Sequence, residues 1–501
     1  MICADKGTVA EVSFFACGKV ATATGAERGD AEDRESGVGM TDGRAIARRN
    51  VLIITGDPIG AKLAGPAIRA WNMALLLSET HNVRLVTFTG AEHITAPFEV
   101  LFVAAGDDVS FNPLEEWADV IVFQGHAMLV FERLQSTRKI MVVDIYDPMH
   151  LEQLEQAREL PREQWIQQVA EATEVLNDQL TRGDFFLCAS ERQRLFWLGQ
   201  LAGQGRLNPL TYENDPDLTG LIDVAPFGLS RVQPEHARQV LKGVHPGIAV
   251  DDKVLLWSGG LYNWFDPQTL IRAVGVLAGT HPDIRLFFQG TKHPHPGVPE
   301  MEIVSQSRRL ASELGLLDVT VFFNASWVDF DDRQNYLLEA DIGVSTHHSH
   351  IETTFSFRTR ILDYLWAELP MVVTEGDHFA DLIRRENLGI AVPADDVAAL
   401  AAALEKVLFD ENFRALAKEN IRRVRQAYFW DIALKPLSDF VGVARHAADN
   451  GYVALGQSRP MRTPRKRRPT TGFRHDIHLA VVTFKKEGLR SVLAKFAKRL
   501  T

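Results

Sequence analysis

The feature that most constrains this chain is an alternation of short apolar runs with helical stretches, played through twice. The first series begins with VLIITGD at 51–57 and continues with VRLVTFT at 83–89, ADVIVFQG at 118–125, KIMVVDIYD at 139–147 and DFFLCAS at 184–190. Helical stretches such as AIRAWNMALLLSE and ERQRLFWLGQLAG separate several of these runs. Each run is continuously apolar rather than alternating, which suits a strand covered on both faces, as in a parallel sheet. Parallel neighbours need crossover connections, and the helices supply them. After VAPFGLS at 224–230 and a polar, proline-containing stretch, the pattern restarts with KVLLWSGG at 253–260. IRLFFQG, VTVFFNA, DIGVST, LPMVVTEGD and LGIAVP follow, again separated by helices. The expected fold class is therefore α/β, with two doubly wound, Rossmann-like domains of similar size joined near residue 230. Ligands of such sheets bind beyond the carboxyl ends of the strands, so the two domains should face one another across a cleft.

The rest of the chain divides around this frame. Its 501 residues exceed what one core usually serves. The expected division is a disordered extension at 1–49, a first domain at 50–229, a second at 230–430, a closing helix and linker at 431–457, and a basic tail at 458–501. GDAEDRESGVGMTDG lies in the extension, and Met40 is an alternative translation start. Three cysteines, Cys3, Cys17 and Cys188, show no CxxC or Cys/His spacing, which argues against a disulfide framework or a structural zinc site. No apolar run reaches the ~18 residues of a spanning helix, so a cytoplasmic location is expected. The net charge of −11 conceals a polarity: thirteen Lys/Arg against two acids at 458–501 leave −22 on the remainder. An acidic body disfavours nucleic acid, whereas a cationic tail seeks phosphates or anionic headgroups.

Several motifs carry chemistry. In SFRTRILDYLWAELPMVVTEGD, a loop enters a helix bearing Arg358, Arg360 and Asp363. Guanidinium groups and a helix N-terminus suit a diphosphate, and Asp363 one turn inside suits ribose hydroxyls. The plain reading is a surface helix with ordinary Arg–Asp pairing. Gly259 and Gly260 end a strand and allow close approach of backbone to a phosphate, or merely form a tight turn. GDPIGAKLAGPAIRAW places Gly65 and a helix N-terminus after Pro66, with Arg69 one turn in, where a donor phosphate would be met across the cleft. His126, Asp147 and His150 lie just past strand ends and are candidates for orienting an acceptor hydroxyl or donor sugar. HHSHIE offers His347, His348, His350 and Glu352, but its spacing fits no common closed metal site, and no metal is expected. No GxGxxG follows a strand, which disfavours a nicotinamide enzyme.

In combination, LDYLWAELPMVV from Leu362 to Val373, the strand end Ser258–Gly260, ADIGVST at Ala340–Thr346 and LGIAVPADDVAALAAAL resemble the donor domain of family-four retaining glycosyltransferases. Those enzymes have the glycosyltransferase-B fold, and the resemblance spans roughly residues 50 to 430. It implies a nucleotide diphosphate sugar as donor substrate, an acceptor held by the first domain, retention at the anomeric carbon and no resident cofactor. Asp363 stands where the family has its ribose-binding acid. The family's other acid would fall on Phe355, so the nearest one, Glu352, is assigned to the donor sugar. The cations that family members carry after the first donor-domain strand are replaced by Gly260 and Phe265, which shifts the diphosphate to Lys292, Arg358 and Arg360.

The expected function is transfer of a sugar to a hydroxyl of a glycan, a lipid-linked acceptor or a small molecule, in the setting of cell envelope glycan synthesis. A nucleotide-sugar epimerase or phosphorylase of the same fold, and a non-catalytic glycan- or membrane-binding adaptor, are the alternatives. In the tail, Ile477, Val481, Phe484, Leu489, Val492, Phe496 and Leu500 recur mainly at three- and four-residue steps among basic residues, the pattern of an interfacial helix. The tail is expected to dock on an anionic membrane, making the enzyme peripheral at its inner face.

Overall fold

A computed structural model describes residues 48–291, 301–324 and 327–451. Its first sheet has seven strands in the order β3-β2-β1-β4-β5-β6-β7, all parallel. These are β1 (Asn50–Thr55), β2 (Asn82–Thr87), β3 (Glu99–Phe102), β4 (Val120–Gln124), β5 (Ile140–Asp144), β6 (Phe185–Cys188) and β7 (Ile222–Val224). The second sheet has six, β10-β9-β8-β11-β12-β13, also all parallel. They are β8 (Lys253–Gly260), β9 (Ile284–Gly290), β10 (Val321–Phe323), β11 (Ile342–Ser345), β12 (Met371–Thr374) and β13 (Gly389–Val392). Both sheets are doubly wound. The order reverses between β1 and β4 in one and between β8 and β11 in the other, and these switch points open the crevices where ligands bind.

The apolar runs become the central strands because both faces of each sheet are covered. Val51, Ile53, Val122 and Val142 pack on one face of the first sheet, and Leu52, Ile54, Ile121 and Val143 on the other. The edge strand β3 was not read from the sequence. Its four residues EVLF are partly exposed throughout, so they lack the continuous apolar signature of the interior strands. The helical stretch after β5 is two helices, Met149–Gln156 and Arg162–Arg182, because Pro161 ends one and leads into the other.

Both sheets belong to one compact unit, and the chain passes between them twice. The first crossing runs through 225–231 and the second through 428–434, side by side, with Leu229 bridged to Phe429. A Cβ on Gly228 would lie 2.4 Å from the Trp430 ring, so the two crossings meet without room for a side chain. Beyond them, helix Lys435–Val443 returns to the first domain, where Leu434, Leu437 and Val441 are buried with Val51, Leu77 and Leu187. The helix beyond the second crossing, expected as a closing helix after 431, completes the first domain's core. A buried bidentate ion pair between Arg206 and Asp449 (2.8 and 2.9 Å) secures the chain there. Residues 1–47 of the extension expected at 1–49, Lys292 and the basic tail lie outside the described residues. No described helix is long and apolar enough to cross a membrane.

Candidate functional site

Between the domains lies a cleft of about 2060 Å³, lined from one side by the loops after β1 and β5 and from the other by the loops after β8 and β11. On the second-domain side its centre is helix Arg360–Trp366. The helix is held by Tyr364, whose hydroxyl accepts from the Ser258 N–H (3.1 Å) and lies 2.9 and 2.8 Å from the carbonyl oxygens of Leu256 and Val344. Its ring occupies the space over Gly343, where a Cβ would approach within 2.5 Å. This wedge fixes the first turn of the helix against the ends of β8 and β11, so Arg360 and Asp363 face the gap.

Asp363 lines the cleft; its Oδ2 accepts from Ser258 Oγ at 2.8 Å, and its Oδ1 lies 3.4 Å from Arg333 Nε. Arg360 is buried between the rings of Trp257 and Phe265, 4.1 and 4.2 Å from their centroids, and donates to the Gly260 carbonyl at 2.8 Å. Burial lowers its pKa to about 10, and its Nη1 has no hydrogen-bond partner. Arg358 donates to both carboxylate oxygens of Glu352 (3.1 and 2.8 Å), and its Nε is likewise unpartnered. Gly259 at φ +76° and Gly260 end β8 at the rim of the cleft, and Gly65 opens the helix Gly65–Ser78 opposite them.

Arg333, which sequence reasoning missed, also lines this cleft. It opens helix Arg333–Glu339, lies 3.6 Å from the Phe330 ring centroid and has two sealed, unpartnered nitrogens, Nε and Nη1. No local pattern marks it, because its value comes from facing Asp363 from another helix. Buried guanidinium N–H groups without acceptors are costly and rare. Three such arginines on one wall could hold an anion, and Asp363 beside them could accept from hydroxyls.

The first-domain wall contributes a carboxyl pair. Asp147 follows β5, Glu152 stands on the next helix, and the two hydrogen-bond to each other. Burial pushes Asp147 up to about 6, with the nearby Glu352 adding to the rise against the hydrogen bond from Glu152. Burial and Asp147 hold Glu152 well above its ordinary range. Glu152 is a second residue the sequence did not reveal: it is one of many glutamates in a polar helix.

Other expectations are corrected. His126 heads the short helix Ala127–Val130 and is absent from the cleft lining. His150 also lies away from the cleft. It packs on Phe196 and Trp197, with ring centroids 5.6 and 5.8 Å away, and burial lowers it to about 4. Its role is packing. Arg69 turns inward to a bidentate ion pair with Asp144 (2.7 and 2.8 Å) and donates to the Pro226 carbonyl, so it does not meet a ligand. The HHSHIE histidines diverge. His347 faces Asp377, and His350 bridges the Trp264 carbonyl and the Thr353 N–H. Among the described residues, only His348 of these joins a group whose ligand atoms lie within 4.8 Å of one another, with Asp266 and Asp395, and Asp266 already caps helix Pro267–Ala278.

Two facing doubly wound domains with an arginine-lined cleft between their switch points define a glycosyltransferase-B fold. The family model described as "Glycosyl transferases group 1" matches residues 252–410. A D-inositol 3-phosphate glycosyltransferase of Saccharomonospora viridis is 25% identical over 309 residues, 58% of this chain and 69% of that protein. One of the same name from Acidothermus cellulolyticus is 24% identical over 211 residues, 42% of this chain but only 45% of the relative's length. Among solved structures, sucrose-phosphate synthase from Thermosynechococcus elongatus superposes with a TM-score of 0.56 at 15% identity, covering 79% of this chain and 99% of that one. HepE of Anabaena in complex with UDP and glucose gives 0.54 at 14% identity, covering 79% and 100%. The chain thus has the glycosyltransferase-B fold, and its residues 252–410, which match the group 1 glycosyl transferase model, form the arginine-bearing wall of the cleft.

Proposed function

We propose that the protein transfers a sugar from a nucleotide diphosphate sugar to a hydroxyl acceptor, with retention of anomeric configuration. The observation that carries this reading is the convergence of Arg333, Arg358 and Arg360, each with unmet buried N–H groups, beside Asp363. In this reading Asp363 takes the ribose hydroxyls, and the arginines with the Gly259–Gly260 rim take the diphosphate. As the glycosidic bond lengthens, negative charge grows on the leaving phosphate, where prearranged guanidinium groups in a water-poor cleft stabilise it most. Glu352 keeps Arg358 in place and lines the sugar end. The acceptor hydroxyl enters from the first-domain side, and front-face attack with its proton passing to the departing phosphate accounts for retention.

A thermal-shift screen with uridine, guanosine, thymidine and adenosine diphosphates tests the donor reading. One of them should raise the melting temperature, and Asp363→Ala should abolish most of that rise. UDP, named in the HepE complexes, is the first to try. No response to any of the four would refute the reading. Residues 458–501 support a finer proposal by their charge and apolar spacing alone: that they bring the enzyme to an anionic membrane carrying a lipid-linked acceptor of the cell envelope. Co-sedimentation with phosphatidylglycerol vesicles should be lost in a protein ending at residue 457, and equal sedimentation of both forms would exclude it.

A further inference from the structure

The arginines that line the cleft within the two domains stand on one wall only, where Glu235, Asp331, Glu352 and Asp363 accompany them. The first-domain wall carries Asp57, Glu79, Asp147 and Glu152, and no Lys or Arg among the described lining residues. The nearby first-domain cations are committed elsewhere: Arg69 to Asp144, and Lys62 to Asp329 at 3.8 Å, outside the lining. One histidine, His93, is the wall's only group able to become positive. The guanidinium groups stand on the opposite wall, and at the crossing Arg231 is bonded bidentately to Asp431.

Resting on the glycosyltransferase reading above, we propose that the acceptor subsite takes a neutral or amine-bearing polyol and rejects an anionic one, with the Asp147–Glu152 pair receiving the acceptor's hydroxyls. Two carboxyls hydrogen-bonded to each other share a proton between them, so together they both donate to and accept from sugar hydroxyls. A phosphate or carboxylate on the acceptor would lie against like charge with no cation on that wall to answer it. An ammonium group would meet the opposite situation. Glu152 thereby becomes a specificity-determining residue: it stands in the cleft beside Asp147 and opposite the Glu352–Arg358 pair, and no motif assigns it a role.

The test titrates the full chain, with and without a nucleoside diphosphate, against matched compounds: glucose, glucosamine and glucose 6-phosphate, then myo-inositol and inositol 3-phosphate. Binding is read by calorimetry. The neutral or amine-bearing member of each set should bind at least about tenfold more tightly than its phosphorylated twin, the scale of one uncompensated like-charge contact. Glu152→Arg should reverse the preference. Glu152→Gln, which keeps the shape and removes the ionisable group, should narrow it, and serves if the arginine variant does not fold. Tighter binding of the phosphorylated twins by the unaltered protein, no binding by any neutral or amine-bearing compound, or an unchanged ratio in both variants would overturn the proposal. Loss of the donor reading is seen separately, as absence of any nucleoside diphosphate response.

Discussion

Arg333→Ala separates grip on the phosphates from grip on the nucleoside. In the unliganded protein the Arg333 guanidinium donates no hydrogen bond among the described residues; its ion-pair partner is Asp363, with Oδ1 at 3.4 Å, and it lies over two rings, Phe330 at 3.6 Å and Trp366 at 5.1 Å from the centroids. Removing it therefore costs the fold about 1–2 kcal/mol for the two cation–π contacts and the partly exposed ion pair together. In the complex it would donate to a diphosphate, and a hydrogen bond involving charged partners contributes about 1.5–3 kcal/mol. The expected loss is about 10- to 150-fold in affinity for the nucleoside diphosphate, with the unphosphorylated nucleoside unaffected. Calorimetric titration of both ligands into both proteins measures the difference directly. Arg333→Lys should recover part of the loss, because the charge remains while the planar fork is gone. Equal weakening toward nucleoside and diphosphate, or no weakening at all, would show that Arg333 does not touch the phosphates.

Three further outcomes follow from the same geometry. Glu352→Gln leaves Arg358 buried without its counter-charge and should destabilise the protein by about 3–5 kcal/mol, seen as a lower melting temperature, while Glu352→Gln/Arg358→Met should recover part of it; a neutral single variant would contradict this. Burial lowers His150 to about 4, His347 to about 3 and His378 to about 4, so these groups contribute stability above pH 6.5 that is lost as pH falls from there towards 4. Asp147 and Asp377, raised to about 6, and Glu152, held well above its ordinary range, act in the opposite sense and offset part of the histidine effect. The melting temperature should fall from pH 7 to pH 5, and His378→Phe should shrink the fall; an undiminished fall would count against the assignment. Gly228→Ala drives a Cβ to within 2.4 Å of Trp430 and should lower the melting temperature by several degrees without changing nucleoside affinity at a permissive temperature.

The sequence made the central strands legible because burial on both faces writes a continuous apolar run, and turn residues punctuate it. KVLLWSGG is the strand Lys253–Gly260, and ERQRLFWLGQLAG the helix Glu191–Gly203. The edge strand Glu99–Phe102 escaped because a half-exposed segment of four residues carries no such run. In the cleft, Arg358, Arg360 and Asp363 were accessible from local spacing, since one loop and one helix turn present all three. Arg333 and Glu152 were not, because each matters through a partner on a different element: Asp363 for one, Asp147 for the other.

The converse errors have the same origin. His126, His150 and Arg69 each sit near a strand end in a way that suggests chemistry, yet which way a side chain turns there depends on what packs beside it. Aromatic rings captured His150, and a buried carboxylate captured Arg69. The chain's own order of residues thus determined two parallel sheets, their switch points and a diphosphate-suited helix, all set by periodicity and short-range contacts. Tertiary structure alone decided the polarity of the cleft, with one wall acidic and without Lys or Arg among its described residues and the arginines gathered on the other, and returned helix Lys435–Val443 to the first domain. Charge fields and long-range packing are sums over residues far apart in the chain, and no local stretch encodes a sum.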